Sequence, residues 1–460
     1  MRSLDMSGED LTVLVDTAAA LAREYWSGLP GRAAYPTTSG PATAGLFTRP
    51  WQEEGLGSSV LQDFHDIADH SRPAGSRFFG YVVGSGEPVG AAGDFLASVL
   101  NQNVTAWRSA PAAVPIERSV VSWLAAAVGC GGYSGSLCGG GSAANLMGLA
   151  LARETKMPAN ETGVREPGTI YVSEQAHFSI VKAAALLGIG RSNVRLIPVD
   201  SRFRMDVGAL EAVIAADRRE GRHPLAIVAT AGSVATGAID PLPAIADIAA
   251  REDVWMHVDG AFGALAALAI PDQFEGLDCA DSLSLDAHKW LYQPLDCGCL
   301  LYREPGAGKR AFSQSADYVK TLNTDPAETF SFFEESIELS RRFRALKLWF
   351  SLQYHGRRAF RDAILRDLEH ARLLSRLVEE QPDLEILADV PLSAVCFRHR
   401  HKDNEALLRR GIDRGGVYLS NATIHGQFAL RACFVNHRTR EEDVELIVAE
   451  VLAAAAELPG

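Results

Sequence analysis

The sequence predicts an α/β protein in which helices cover a mainly parallel β-sheet. From about residue 169 onward, short apolar strands alternate with helical patterns, which is typical of consecutive βαβ units. Polar residues directly follow several of these strands, as expected where an open sheet binds a ligand. The predicted strands are TIYV (169–172), VRLIPV (194–199), LAIVAT (225–230) and VWMHV (254–258), separated by helices from about residues 177, 207 and 243, and then SLSL (282–285) and CGCLLY (297–302), the last of them antiparallel.

The regions before and after this sheet have a different pattern. A helical apolar pattern from Leu11 to Trp26 is followed by four spaced prolines, which predicts an N-terminal arm over residues 1–88. We expect a large domain over residues 89–340 and a smaller α+β domain over residues 341–460. The smaller domain is predicted to contain helices over 343–354 and 361–380 and the strands LEIL (384–387), SAVCF (393–397), VYLS (417–420) and FALRACF (428–434).

Composition and charge exclude several classes of partner. The chain has 44 Lys+Arg against 57 Asp+Glu, a formal net charge of −13, which excludes a generally basic nucleic-acid-binding protein. The uncharged stretch between Arg118 and Arg153 contains eight glycines and therefore does not predict a membrane-spanning helix. Seven scattered cysteines without metal-ligand spacing, and an N-terminus without a secretory apolar segment, predict a reduced, cytoplasmic protein with no metal site.

Polar residues that follow four of the predicted strands indicate a binding site. The carboxyl ends of parallel strands meet at one edge of a sheet, where α/β proteins bind ligands. One histidine after a strand is more often a helix cap, but polar side chains from four strands favour a ligand site. These residues are His177 after TIYV, Thr230 and Ser233 after LAIVA, Asp259 after VWMHV, and His288 with Lys289 after SLSL.

Three of the motifs together describe a cofactor site. The run Gly139-Gly140-Gly141-Ser142 precedes a helical pattern and offers backbone N–H groups to an anion, without the GxxxxGK[ST] motif of nucleoside triphosphate sites. Lys289 lies in the apolar context LDAHKWL, where desolvation favours a neutral, nucleophilic amine. Asp259, at the end of an apolar strand, needs a cation, and the pyridinium nitrogen of pyridoxal 5'-phosphate (PLP) is one. The sequence therefore predicts a PLP site.

At these residues the chain resembles the pyridoxal-dependent group II decarboxylases. The matching motifs occur in the family's order and extend across most of the chain. The combination of HVDxA, HKW and SRRFRALKLW is highly specific. The motifs are GRAAYPT (31–37), SRFFGY (76–81), GGGSAANLMGLALAR (139–153), SEQAHFSIVKAA (173–184), ATAGSVATGAIDP (229–241), VWMHVDGAFG (254–263), DAHKWLYQPLDCG (286–298) and SRRFRALKLWF (340–350).

The resemblance implies a fold and a role for each site residue. The fold would be PLP fold type I, with a seven-stranded sheet, and the protein a homodimer whose arm and mobile loop cross the interface. Lys289 would form the covalent link to the cofactor, and Asp259 would keep its ring nitrogen protonated. His177 would stack on the ring and Ala261 would pack under it. Gly141, Ser142 and His288 would bind the phosphate, while Thr230 and Ser233 would line the same edge.

Four positions depart from the family's pattern. Val234 stands where many members have a second threonine, and Gly260 replaces an alanine. Asp286 stands where many members have Asn, and a carboxylate beside a phosphate is unfavourable unless it is protonated or turned away. An alignment without gaps puts Phe332 at the place of the family's tyrosine proton donor. Either the loop alignment slips and Tyr318 serves, or His177 or water returns the proton.

These departures leave alternatives for the reaction. The expected activity is decarboxylation of an L-amino acid substrate to an amine and CO₂. An aromatic substrate is favoured if Phe78, Phe79, Tyr81 and Trp107 form an aromatic wall. The alternatives are an aldehyde synthase that consumes O₂, for which Phe332 is the sequence feature, and a decarboxylase of a non-aromatic amino acid. The presence of both Lys289 and Asp259 argues against a non-catalytic interaction protein.

Overall fold

The computed structural model describes residues 4–166, 168–314 and 325–459. A seven-stranded sheet confirms the predicted α/β class and the predicted strand count. Its strands are β1 Ser134–Cys138, β2 Thr169–Ser173, β3 Val194–Ile197, β4 Pro224–Thr230, β5 Trp255–Asp259, β6 Ser282–Asp286 and β7 Gly298–Tyr302. They lie in the order β1-β7-β6-β5-β4-β2-β3.

Strand direction brings the carboxyl ends of six strands, β1 to β6, to one edge of the sheet. Strand β7 is antiparallel to both of its neighbours, β1 and β6, as predicted, and the other pairs are parallel. Strand β1 therefore runs in the same direction as the parallel strands. It is not among the predicted strands, because its sequence SGSLC contains few residues that favour a strand.

Fourteen α-helices lie in the described ranges. Those predicted from about residues 177, 207 and 243 correspond to α7, α8 and α9. The helices are α1 Gly8–Gly28, α2 Gly40–Phe47, α3 Asp63–Asp69, α4 Pro88–Leu100, α5 Ala113–Ala127, α6 Gly141–Lys156, α7 Ser179–Leu186, α8 Val207–Arg219, α9 Leu242–Glu252, α10 Ala287–Trp290, α11 Pro305–Phe312, α12 Ala345–Glu379, α13 Asn404–Arg414 and α14 Glu441–Glu457. None of them is long and apolar enough to span a membrane.

A second sheet lies in the C-terminal part of the chain. It is antiparallel, with the order β10-β11-β9-β8, and consists of β8 Leu384–Ile386, β9 Ala394–His399, β10 Ser420–Ile424 and β11 Gln427–Cys433. The predicted strand VYLS is wrong, since β10 begins at its last residue. Instead, Tyr418 is bonded to the arm: its carbonyl accepts from the N–H of Phe79 at 2.8 Å, and its ring stacks on Phe78.

Two features connect this C-terminal part to the large sheet. The helices predicted over 343–354 and 361–380 form one long element, α12, which is interrupted at Gly356, where φ is +74°. Just before α12, the guanidinium of Arg341 forms a buried ion pair with Glu117 and donates to the carbonyl of Leu137 in β1 at 2.9 Å. The SRRFR motif therefore holds β1 at the edge of the sheet.

Candidate active site

The carboxyl ends of β1, β2, β4, β5 and β6 surround a cavity of about 290 Å³. All of the predicted site residues except Ser233 line it, namely Gly141, Ser142, His177, Thr230, Asp259, Ala261, His288 and Lys289. Residues that the sequence did not single out also contribute, namely Asn145, Gln175, Gly232, Phe262 and Leu295. The cavity therefore combines a glycine-rich helix start, a lysine, two histidines and two buried carboxylates.

Ser233 lies beside the cavity with its hydroxyl turned into the turn after β4. Its Oγ is 3.0 Å from Oγ1 of Thr236, and the side chain is buried. The neighbouring residues Gly232 and Val234 line the cavity instead. Thr230 differs, because its Oγ1 is buried without a hydrogen-bond partner among the described residues. An unpaired buried hydroxyl is costly, and a bound ligand would supply its partner.

The start of α6 is suited to an anion. No described side chain caps this helix, and its N-cap is Gly140, with φ +124°. A Cβ on Gly141 would lie 2.6 Å from that of Ala261, so only glycine lets the backbone approach the cavity here. The N–H groups of the first turn and the positive end of the helix dipole therefore face the cavity, where they favour an anion.

His288 adds a neutral side chain to the same end of the cavity. Its Nδ1 accepts from the backbone N–H of Cys297 at 3.2 Å, which leaves the proton on Nε2. Burial is the largest cause of the lowered pKa of His288 and outweighs the opposite effect of Asp286. The ring is therefore a hydrogen-bond donor through Nε2.

Asp286 is buried at the centre of these groups. One oxygen, Oδ2, lies 2.9 Å from Nζ of Lys289 and 3.5 Å from Nε2 of His288, while Oδ1 has no hydrogen-bond partner among the described residues. The carboxylate faces the start of α6, because a Cβ on Gly141 would lie 3.1 Å from Oδ2. Asp286 is therefore not turned away from the predicted phosphate site.

Asp259 ends β5, which lies between β4 and β6 in the sheet. Its Oδ2 accepts from Nδ2 of Asn145 at 2.9 Å, and its Oδ1 accepts from the hydroxyl of Ser284 at 3.1 Å. The N–H of Ala261 donates to Oδ1 at 3.2 Å. Donors from three elements thus stabilise the carboxylate as an anion, so a cationic ring nitrogen fits beside it.

His177 lies at the cavity wall beside the start of α7. Its Nδ1 is 2.8 Å from Oγ of Ser179 and accepts from the N–H of Ser179 at 3.3 Å. Burial lowers the pKa of His177, although the charge of Asp259 acts in the opposite direction. The imidazole is therefore neutral near pH 7, as suits a ring that stacks on a cofactor.

Phe332 does not line this cavity. Its side chain is fully buried in the core, where the Arg341 guanidinium lies 4.3 Å from the ring centroid and Phe330 packs edge-on at 4.8 Å. A residue held in this way does not reach an active site. The position of Phe332 therefore does not support the proton-donor place that the gapless alignment gives it. Tyr318, the alternative donor, lies outside the described residues.

The predicted aromatic wall is also not formed by the described residues. None of Phe78, Phe79, Tyr81 and Trp107 lines the cavity within the described ranges. Phe79 packs in the core of the smaller sheet against Phe434, with ring centroids 5.2 Å apart. The interpretation of these four residues as a substrate wall is therefore not supported by their positions.

The fit of these groups defines the class of protein. A lysine amine, an anionic carboxylate and an uncapped glycine-rich helix start match the aldehyde, ring nitrogen and phosphate of PLP. With a mostly parallel seven-stranded sheet, these features describe a PLP-dependent enzyme of fold type I. The chain belongs to the pyridoxal-dependent decarboxylases, since the family model "Pyridoxal-dependent decarboxylase conserved domain" matches residues 52–400. It is a PLP-dependent amino-acid decarboxylase.

Known relatives agree with this assignment. The chain is 32% identical to the aromatic-L-amino-acid decarboxylase of Bacillus atrophaeus, over 99% of this chain and 98% of the relative. It is 30% identical to the phenylacetaldehyde synthase of Petunia hybrida, over 77% of this chain and 76% of that protein. Among solved structures, the Oryza sativa TDC with PLP and tryptamine superposes with a TM-score of 0.92 at 25% identity, covering 99% of each chain.

The position of Asp286 generates a testable prediction. Asp286→Asn removes a negative charge that faces the phosphate site, so we expect PLP to bind at least roughly tenfold more tightly at neutral pH. Fluorescence titration of the purified protein with PLP measures this affinity. Asp296→Asn is the matched control, because the charge of Asp296 is already balanced by Arg344 at 3.2 Å and should not oppose the phosphate. Weaker binding by Asp286→Asn would show that Asp286 serves the lysine rather than opposing the phosphate.

Proposed function

We propose that this enzyme converts an aromatic L-amino acid to the corresponding amine and CO₂. The observation that carries the proposal is the presence of Lys289 and the hydrogen-bonded carboxylate of Asp259 in one cavity. The similarity to the aromatic-L-amino-acid decarboxylase of Bacillus atrophaeus, which extends over nearly the whole of both chains, supports an aromatic substrate.

The roles of the site residues follow from their chemistry. PLP, when bound, provides the electron-accepting ring that stabilises the carbanion left when CO₂ departs. Asp259 holds a proton on the ring nitrogen through its negative charge. Lys289 anchors the cofactor through its amine, and Oδ2 of Asp286 lies 2.9 Å from Nζ.

The remaining residues orient the cofactor. Gly141 and Ser142 offer their backbone N–H groups to the phosphate, and His288 donates from Nε2. Ala261 and the neutral ring of His177 line the cavity and would hold the pyridine ring between them. Thr230 offers the unpaired Oγ1 hydroxyl at the same edge, and Ser233 supports this edge from the adjoining turn. A ring held between two side chains is shielded from water, which strengthens the charge interactions of Asp259.

We also propose that the enzyme is a cytoplasmic homodimer with the domain division 1–88, 89–340 and 341–460. A dimer is supported by exposed apolar side chains that are three to four residues apart on α4, where Phe95 and Val99 are 50% and 65% exposed. The arm likewise exposes Leu11 on α1 and Trp51. Large apolar side chains grouped on one helix face favour association with a second copy.

The division into domains is supported by the two separate sheets.

An aldehyde synthase is the second candidate, and the similarity to the phenylacetaldehyde synthase of Petunia hybrida is the observation that supports it. The sequence feature that favoured it was Phe332 at the place of a proton donor. Because Phe332 is buried away from the cavity, this feature no longer supports oxidative chemistry. We therefore place amine formation first and propose Tyr318 as the residue that returns the proton to Cα.

The direct test of the function is a product assay with the PLP-loaded enzyme. Purified enzyme is incubated with Phe, Tyr, Trp, dihydroxyphenylalanine and a set of non-aromatic amino acids, and CO₂, amine, aldehyde and H₂O₂ are measured together. We expect amine and CO₂ in equal amounts from an aromatic substrate. Lys289→Ala should form no amine above background. Equal amounts of aldehyde and H₂O₂, or turnover of non-aromatic substrates alone, would contradict the proposal.

A pair of variants tests the proton donor. Tyr318→Phe should lower the rate of amine formation by about 10²–10⁴, because a phenyl ring does not donate a proton, and should raise the share of aldehyde in air. Phe332→Tyr is the control, since its hydroxyl would be buried beside Arg341 and leave the product ratio unchanged. A higher amine-to-aldehyde ratio in Phe332→Tyr would restore the gapless alignment and contradict the role of Tyr318.

A further inference from the structure

A buried chain of hydrogen bonds connects Asp259 with His177. Asn145, in the first turns of α6, is at its centre, and His257, in β5 two residues before Asp259, lies on its other side. Asn145 and His257 are 1% and 0% exposed. The ring of His257 fits only because residue 148 is glycine: a Cβ there would lie 2.5 Å from Cε1 of the ring.

The carboxylate sets the orientation of the asparagine amide. Asp259, as an anion, only accepts hydrogen bonds, so the Asn145 atom 2.9 Å from its Oδ2 is the NH₂ group. The amide oxygen Oδ1 therefore faces Nε2 of His257, 2.9 Å away, which must be the donor. Because burial lowers the pKa of His257 to about 4, the ring is neutral and carries its one proton on Nε2.

The hydrogen bonds on the far side of His257, to Ser282 and Trp255, are consistent with a proton on Nε2. Nδ1 of His257 has no proton, so it accepts from the hydroxyl of Ser282 at 2.8 Å. The oxygen of Ser282 in turn accepts from the indole N–H of Trp255 at 2.9 Å. The anionic carboxylate and the neutral imidazole thus set the proton direction of the bonds from Asp259 to Ser282, and the indole N–H of Trp255, which only donates, is compatible with it.

The second hydrogen of the asparagine amide begins a branch toward the cavity. It is donated to Oγ of Ser179 at 3.0 Å, and this hydroxyl lies 2.8 Å from Nδ1 of His177, to which it donates because Nδ1 already accepts from the backbone N–H of Ser179. The backbone N–H of Ser179 also points to Nδ1. Nδ1 of His177 is thus an acceptor, and the single proton of the neutral ring lies on Nε2.

We propose that Asn145 and His257 are positioning residues that hold Asp259 as the partner of the ring nitrogen and His177 as the neutral Nε2–H tautomer. The NH₂ group of Asn145 binds Asp259 directly and His177 through the hydroxyl of Ser179, so the carboxylate and the stacking ring are held in a common geometry. His257 keeps the amide of Asn145 from rotating, because it donates a hydrogen bond to Oδ1, the only side-chain atom of Asn145 that accepts one. This inference rests on the proposed roles of Asp259 and His177.

The first test is nitrogen NMR on ¹⁵N-histidine-labelled protein, without and with PLP. The signals of His177 and His257 are assigned from the variants His177→Phe and His257→Gln. We expect the Nε2–H tautomer for both rings. A proton on Nδ1 of either ring would overturn the proposal. Because the signals are read without cofactor, this outcome is independent of whether the enzyme decarboxylates anything.

The second test compares replacements that keep or remove the donor. His257→Gln places an amide N–H near the position of Nε2, whereas His257→Leu does not, and Asn145→Leu removes both branches while keeping the number and branching of the side-chain heavy atoms. We expect His257→Leu and Asn145→Leu to raise the PLP dissociation constant roughly 10- to 100-fold, as for a lost buried hydrogen bond to a charged group. His257→Gln should stay within about threefold of wild type.

Further readouts separate positioning from folding. In folded Asn145→Leu, the ¹⁵N signals of His177 should show a mixture of tautomers, and the visible absorbance of bound PLP should change its pH profile. Folded His257→Leu and Asn145→Leu variants with wild-type PLP affinity, tautomers and absorbance would overturn the proposal. If the leucine variants do not fold, two measurements still test the proposal: the PLP affinity of His257→Gln relative to wild type, and the tautomers of His177 and His257 in the wild type. A wild-type enzyme that has the expected tautomers but forms no amine would instead contradict the proposed function.

Discussion

The site depends on one buried charge, the carboxylate of Asp259. This side chain is only 7% exposed, and an unpaired carboxylate at such a depth costs several kcal/mol. The protein offsets the cost with donors from α6, β6 and the turn after β5, through Asn145, Ser284 and the N–H of Ala261. These elements meet only when β5 lies beside β6 under α6. The strand order of the sheet therefore brings together the donors that stabilise the buried charge of Asp259.

The opposite end of the cavity has the reverse arrangement of charge. There the uncapped start of α6 offers positive potential without a side chain, and Gly140 and Gly141 let the backbone approach closely. Asp286 is the exception, since its charge faces this region and is offset by Lys289. The cavity thus has an anion, Asp259, at one end and the positive end of a helix dipole at the other, an arrangement that fits the charges of PLP.

Much of the fold was predictable because β2 to β7 are apolar runs bounded by turn residues, and because strand ends carry unusual polar residues such as Asp259. The predictions that were wrong or missing concern segments whose sequence pattern is weak or whose position depends on residues far away in the sequence. Strand β1 is rich in Ser and Gly, and the segment around Tyr418 pairs with the arm rather than with a neighbouring strand. The burial of Phe332 depends on Arg341, nine residues later, and on packing that a gapless alignment does not contain. Asn145 looks like an ordinary helix residue until β5 places His257 beside it.

The most direct measurement is the PLP affinity and turnover of Asp259→Asn, which keeps the shape of the side chain and removes its charge. If the carboxylate is the partner of the ring nitrogen, the variant should retain its fold, bind PLP roughly 10- to 100-fold more weakly and lose most of its decarboxylation rate. Equilibrium dialysis with PLP and a CO₂-release assay measure the two quantities on the same preparation. A folded variant with wild-type affinity and rate would contradict the account.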